Sequence, residues 1–268
     1  MKEIGIDELR ELQMKILDYV DSFCRKNNIR YTISGGTLLG AVRHGGYIPW
    51  DDDIDIQMLR SEYDHFTELW NETKNKHPYE LVSIESGNSM GYPFGKIHNP
   101  KTITYLYGVK RTGVFIDVFP LDDVIDDTDF AARREIIKTL KKKERWSFLM
   151  TTSKTTLSGL YRYIKGFFIT KGKHRMYYAC KINDIAKCKN DLDGKFVFEM
   201  VAGLKCKQPM KKTIFDEYDD IKFENRKYMA VKEYDTYLTA TFGDYMQLPP
   251  IEKQVSDHGF EAYWIENN

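Results

Sequence analysis

The chain has 268 residues, 42% of them hydrophobic and 14% aromatic, so it can bury a real core and is not a disordered segment. Lysine plus arginine equals aspartate plus glutamate at 40 each, and this balance argues against a nucleic-acid partner. The start, MKEIGIDELRELQ, is not a basic leader, and no run approaches the ~20 apolar residues of a membrane span. A cytoplasmic protein is expected, with room for peripheral contact on the inner face of the cell membrane. The four cysteines, Cys24, Cys180, Cys188 and Cys206, include no CxxC pair and predict free thiols rather than a zinc centre.

Residues 7–27 predict a helix, because Leu9, Leu12, Ile16, Val20 and Phe23 recur at three- and four-residue steps. A short strand is expected over 29–33. Ser34-Gly35-Gly36 then turns the chain, Thr37 can open a short helix, and Gly45-Gly46 stops it. Ile48-Pro49-Trp50 reads as an extended linker. Four aspartates follow within five positions: Asp51, Asp52, Asp53 and Asp55. The alternation Asp53-Ile54-Asp55-Ile56 predicts a strand with both carboxylates on one face, roughly 6.6 Å apart along the chain. Ser61 is the expected N-cap of a helix running to about Asn75. Strands over 79–85, 92–98, 102–107 and 113–119 come next. In the last, Val114, Ile116 and Val118 share one face, and Asp117 lies between Phe115 and Phe119 on the other.

Beyond Pro120 the pattern changes, and the softest domain boundary falls near 120–127. A basic helix is expected over 129–149. Residues 153–178 mix Leu157, Leu160, Tyr161, Ile164, Phe167 and Phe168 with lysines and arginines. That is the composition of an interfacial helix, or of a core helix with snorkelling lysines. Another helix is expected over 176–187, a strand over 227–231, and a helix over 233–242 ended by Gly243.

Two like carboxylates on one strand face repel unless a cation lies between them. A hard divalent ion, Mg²⁺ or alternatively Mn²⁺, suits that oxygen set. Asp117, flanked by aromatics, needs a lysine or arginine partner, or else is a third carboxylate of the same metal site. A glycine turn opening a helix offers free N–H groups and a positive dipole end to phosphate. Arg43 and Lys96 are candidate cations for that phosphate, with Arg43 alternatively a helix C-terminal charge. Gly-Gly, DxD and a later Asp in an apolar strand together resemble the active-site pattern of the nucleotidyltransferase superfold.

The stretch GTLLGAVRHGGYIPWDDDIDI, residues 36–56, closely resembles the signature of the LicD family of phosphocholine transferases, which includes the fukutin-related phosphoribitol transferases. GKI at 95–97, GVFIDVFPLD at 113–122, YLTATFGDYMQLPP at 237–250 and HGFEAYW at 258–264 agree with it, whereas 128–232 carries little of the resemblance. The resemblance implies an α+β fold: a nucleotidyltransferase-like mixed sheet flanked by helices, with a mainly helical second region. It divides the chain into a catalytic core (1–125), a mainly helical substrate region (126–232) and a C-terminal segment packing back on the core (233–268). It implies transfer of a phospho-alcohol, phosphocholine above all, from a CDP-activated donor to a hydroxyl of a cell-surface glycan, with release of CMP. The acceptor would be lipid-linked, as in lipopolysaccharide, capsule or teichoic acid synthesis. In that scheme Asp53, Asp55 and Asp117 hold the metal, with Asp117 alternatively the general base. Asp51 supports them and Asp52 faces away. Gly35, Gly36 and Thr37 cradle the diphosphate, Arg43 and Lys96 offset its charge, and Trp50 is a packing residue. His98 and Asn99, like Gln254 and Asp257 in the tail beside His258, depart from the family pattern and leave the alcohol open. The competing readings are a nucleotidyltransferase that releases pyrophosphate from an NTP, and a non-catalytic nucleotide- or glycan-binding module.

Overall fold

The computed structural model describes residues 1–87, 90–106, 109–151, 156–187, 194–202, 208–255 and 261–266. In chain order its elements are β1 (Lys2–Glu3), α1 (Ile6–Lys26), β2 (Thr32–Ile33), α2 (Gly35–His44), β3 (Asp55–Leu59), α3 (Arg60–Glu72), β4 (Glu80–Val82), β5 (Gly95–His98), β6 (Thr102–Leu106), β7 (Val109–Lys110) and β8 (Phe115–Val124). Then come α4 (Asp127–Leu149), α5 (Leu157–Thr170), α6 (Arg175–Ala186), β9 (Phe196–Phe198), β10 (Met210–Lys211), β11 (Tyr218–Phe223), β12 (Arg226–Val231), α7 (Tyr234–Phe242) and β13 (Glu261–Trp264).

The architecture is α+β, a mixed sheet flanked by helices. β8 is its central strand. On one side β8 runs parallel to β3, with Asp55 opposite Asp117 and Leu59 opposite Leu121. On its other side it pairs antiparallel first with β5 and then with β9. The sequence suggests that this strand stops at Phe119, but it continues through Pro120 to Val124. Amide directions alternate along a strand, and the Asp117 N–H points to β3, donating to the Ile54 carbonyl. Pro120 therefore faces the other edge. It falls between the β5 register, which ends at Val118, and the β9 register, which starts at Asp122, so no ladder bond is lost there.

One face of the sheet is the core. Ile54, Ile56, Met58, Ile116 and Val118 pack with Leu9, Leu12, Ile16 and Val20 of α1 and with Tyr63, Phe66 and Trp70 of α3. The expected stripe of α1 is what it buries, except that Phe23 is only half-buried. A smaller apolar cluster joins Val124, Phe130, Ile137, Ile182 and Phe198 beneath α4 and α6. The β11–β12 hairpin adds Phe223, Tyr228 and Val231 to the main core, and β13 pairs with both β1 and β6.

Several boundaries differ from expectation for local reasons. α2 starts at Gly35 rather than Thr37, with Ser34 at the N-cap; Gly45 ends it in the left-handed conformation, φ 74°. Ser61 lies inside the first turn of α3, whose N-cap is Leu59. α4 starts earlier than read because the Asp126 side chain accepts from the N–H groups of Thr128 and Asp129. α5 leaves Leu157, Leu160, Tyr161, Ile164, Phe167 and Phe168 exposed, so these side chains are not packed into the core. Cys24 is buried and Cys180 half-buried, both free thiols; Cys188, Cys206, Asp257 and His258 lie outside the described residues. Among the described residues, no helix is long and apolar enough to cross a membrane.

Candidate active site

Residues directly opposite one another in a ladder put their side chains on the same face. Asp117 faces Asp55 across β3 and Lys96 across β5, so Asp55, Asp117 and Lys96 stand side by side on three neighbouring strands. Gln57 and Phe119 form the next row on the same face. This row floors a cavity of about 250 Å³, walled by Ser34 and Gly35 at the start of α2, by Asp53, by Phe198 and Glu199, and by Tyr237 of α7. Asp53, Asp55 and Asp117 thus meet in one cavity, as expected from sequence. Asp53 reaches it from the loop before β3 rather than from the strand, since β3 begins at Asp55. Because that loop does not alternate, Asp52 is not turned away from its neighbours. Carboxylate oxygens of Asp51, Asp52 and Asp53 lie within 4.8 Å of one another.

The loop is held from α1. The Arg10 guanidinium donates to the carbonyls of Pro49 (3.0 Å) and Asp51 (2.6 Å), and the buried Gln13 amide donates to the Asp52 carbonyl (2.9 Å). Neither residue stands out as functional in the sequence, although Gln13 is a polar intruder on the apolar stripe of α1. On the other side, the Thr37 hydroxyl accepts from the Asp55 N–H at 2.9 Å, so Thr37 positions Asp55. The glycines make room for acids. A Cβ on Gly35, which has φ +52°, would stand 3.1 Å from Asp55 Oδ2, and one on Gly36 would stand 2.5 Å from Asp51 Oδ2. Asp51 therefore lies against the N-terminal turn of α2.

Asp117 has a cationic partner, the first of the two alternatives for a carboxylate flanked by aromatics. The buried Lys96 ammonium pairs with Asp117 Oδ1 and sits 3.7 Å from the centroid of the Phe115 ring and 4.7 Å from that of Tyr92. Lys96 thus neutralises a floor carboxylate of the cavity. Arg43 does not line the cavity. Its guanidinium donates to the carbonyls of Tyr245 (2.8 Å) and Gln247 (3.3 Å), in a separate cleft shared with Trp50. His98 and Asn99 also lie away from it. His98 Nδ1 accepts from the Gly113 N–H at 3.2 Å, and burial pushes its pKa down. Asn99 Oδ1 accepts from the Lys101 N–H.

Sequence reasoning missed a fourth carboxylate, Glu199, just beyond β9. Gln57 donates its amide to Glu199 and accepts from the Tyr237 hydroxyl at 2.9 Å, and that hydroxyl accepts from the Gly35 N–H at 3.2 Å. This buried chain fixes α2, β3, α7 and the β9 exit relative to one another. No local motif marks it, because its members are 142 and 180 positions apart. The Ser34 hydroxyl is buried on the cavity wall and, among the described residues, has no hydrogen-bond partner. The donors on this cavity are hard oxygens, the chemistry that Mg²⁺ or Mn²⁺ takes in preference to a softer metal, and among the described residues the three carboxylates close enough to share one ion are Asp51, Asp52 and Asp53.

The family model described as LicD/FKTN/FKRP, nucleotidyltransferase domain, matches residues 28–148, a span that includes Asp51, Asp53, Asp55, Lys96 and Asp117. Ribitol 5-phosphate transferases FKRP of Homo sapiens and Mus musculus are 50% identical over 38 residues, 14% of this chain and 8% of theirs. The lipopolysaccharide cholinephosphotransferase LicD of Haemophilus influenzae is 32% identical over 272 residues, covering 98% of this chain and 99% of that protein. Identity at that level across essentially the whole of both chains means that this protein belongs to the LicD family.

Proposed function

We propose that this protein transfers a phospho-alcohol, phosphocholine first among the candidates, from a CDP-activated donor to a hydroxyl of a cell-surface glycan. The observation that carries the reading is the convergence of Asp53, Asp55, Asp117 and Glu199 in one cavity, in a chain of the LicD family. In the reaction the acceptor oxygen forms a bond to the phosphorus of the phospho-alcohol, the P–O bond to CMP breaks, and the hydroxyl proton passes to a base. Asp53, Asp55 and Asp117 would hold a Mg²⁺ ion, with Asp51 and Glu199 at the edge of the set. When bound, such an ion supplies charge neutralisation on the transferring group and aligns attacking and leaving oxygens. The chain itself supplies position. Arg10, Gln13 and Thr37 fix the aspartates, and Lys96 offsets the charge of Asp117. Peripheral attachment through the exposed face of α5 would bring the enzyme to a lipid-linked acceptor.

The test is CMP release from CDP-choline with Mg²⁺ and a glycan acceptor. Asp53→Asn and Asp55→Asn should each lower it by a factor of about 10³ or more, with the circular dichroism spectrum unchanged. Full turnover in either variant, or pyrophosphate from an NTP as the product, would overturn the proposal. A thermal-shift series over CDP-choline, CDP-ribitol, CDP-glycerol and CDP-ethanolamine with Mg²⁺ ranks the alcohols, since a ligand of the native state raises Tm.

A further inference from the structure

A second cavity, of about 780 Å³, adjoins the first and carries the opposite charge. The two share Ala202 in their walls. Arg111, Lys141, Arg145, Arg162 and Arg175 line the second cavity, against a single carboxylate, Glu144. Arg175 Nε already pairs with Glu144. Among the described residues, Arg111, Arg145 and Arg162 pair with no carboxylate, and the Nε atoms of Arg111 and Arg162 are buried without a hydrogen-bond partner.

The cations are held in place rather than left to disperse. Arg111 lies 4.2 Å from the ring centroid of Phe148 and 5.4 Å from that of Tyr92. Arg175 lies 4.5 Å from Tyr92 and 5.4 Å from Phe148. Two guanidinium groups are thus stacked on the same pair of rings; Arg175 donates to Glu144 and to the Met90 carbonyl, and the stacking leaves the edge of Arg111 to donate. Lys141 donates to the Ala202 carbonyl, on the shared wall. Burial pushes the Lys141 ammonium down to about 8, with Glu199 of the first cavity and Glu144 of the second pulling it back up. Burial and the neighbouring Arg175 push Arg111 down as well. Clustering like charges in a half-buried pocket is costly unless an anion completes it.

We infer that this cavity binds an oxyanion, a phosphate or carboxylate group, carried by the acceptor glycan. Planar arginine forks fit such groups two bonds at a time. The first cavity, rich in carboxylates, repels a bare oxyanion, whereas the second attracts one without any metal. An acceptor anchored by an acidic group on the arginines reaches the phosphoryl-transfer cavity past Ala202. The anion site stands on the arginine cluster alone; its assignment to the acceptor rests on the transferase reading above. The donor's diphosphate is the other source of the same chemistry, and the experiment separates the two.

The probe is inorganic pyrophosphate, titrated calorimetrically into the full chain with EDTA present. Wild type and Asp55→Asn should bind it alike, and Arg111→Gln/Arg162→Gln should lose at least about tenfold in affinity. Arg145→Gln, at an exposed position, should weaken binding severalfold and guards against a misfolded double variant. No binding by wild type, or equal binding by the arginine variants, overturns the site. A second arm titrates CDP-choline with Mg²⁺. Unchanged affinity in the double variant, with a raised KM for acceptor, supports the acceptor assignment; lost CDP-choline affinity gives the anion to the donor and overturns that assignment. Pyrophosphate binding as expected, with no turnover of any CDP-alcohol by wild type, would sink the transferase reading and leave the anion site standing.

Discussion

The two cavities on either side of Ala202 are built in opposite ways. The acidic one rests on β3, β5 and β8, where ladder register sets Asp55, Asp117 and Lys96 side by side. Short aspartate side chains have little freedom once the strands are paired, and that suits a centre needing fixed oxygens. The basic one is lined largely by α4, α5 and α6, with long side chains stacked on Tyr92 and Phe148. Long stems on helices tolerate variation in what they hold. One chain thus places its fixed chemistry on strands and its adaptable recognition on helices.

A buried ion pair ties α3 to β8, the strand that carries Asp117, and breaking it should have the largest effect. Asp122 of β8, opposite Phe198 of β9, is fully buried and accepts from Arg60 Nε of α3 at 2.7 Å. Burial outweighs the attraction of Arg60 and pushes the Asp122 carboxyl up to about 6. Folding therefore favours the protonated acid. The contribution is fully present below the ordinary carboxylate value of 3.8 and is lost as pH rises through about 6. Arg60→Met leaves the buried carboxylate unpaired and should cost about 3–5 kcal/mol at pH 7. The deficit should shrink at pH 5, where the acid carries its own proton. Urea unfolding at the two pH values checks this, and an equal deficit at both would show that Asp122 is not the group responsible.

A smaller effect, confined to the acidic side, is expected from Gly36→Ala. The new Cβ would stand 2.5 Å from Asp51 Oδ2, so the carboxylate must move. Alanine suits a helix better than glycine by roughly 1 kcal/mol, so stability should change little. CMP release should fall by about tenfold or more, because displacing positioned groups by a fraction of an ångström costs rate. A variant as active as wild type would mean that Asp51 does not bear on the site.

The same contrast explains what could be read from the sequence. Asp55, Asp117 and the stripe of α1 belong to regular elements whose period is visible locally, so their faces could be assigned. Even the Lys96–Asp117 pair was open to reasoning, because a carboxylate between aromatics needs a partner. Glu199 was not, since its place depends on β9 pairing with β8 across the whole helical region. Arg111, Lys141, Arg145 and Arg162 were not either. Lys141, Arg145 and Arg162 lie on helices and Arg111 just after β7, and such charges look like solvated surface until tertiary packing turns them toward one another. Asp52 was misplaced because strand alternation was extended into the loop before β3, which begins only at Asp55.

The gentlest variants address the outer surface of the basic region. Leu157 is 89% exposed and Phe168 76%, on a helix that also exposes Leu160, Tyr161, Ile164 and Phe167. The sequence carries no Asp or Glu from Lys154 to Asn183, against seven lysines and arginines. An apolar face flanked by cations and free of acids matches the surface of an anionic bilayer. Leu157→Glu/Phe168→Glu removes two exposed contacts and adds two charges that such a surface repels. Stability should stay within about 0.5 kcal/mol of wild type, as for most surface changes. Co-sedimentation with vesicles containing phosphatidylglycerol at low salt should be strong for wild type and fall at least about tenfold for the variant. Equal sedimentation of both proteins would move the membrane contact off α5. Failure of wild type to sediment at all would remove it, and a soluble fragment of the glycan would then be the acceptor to pursue at the arginine cavity.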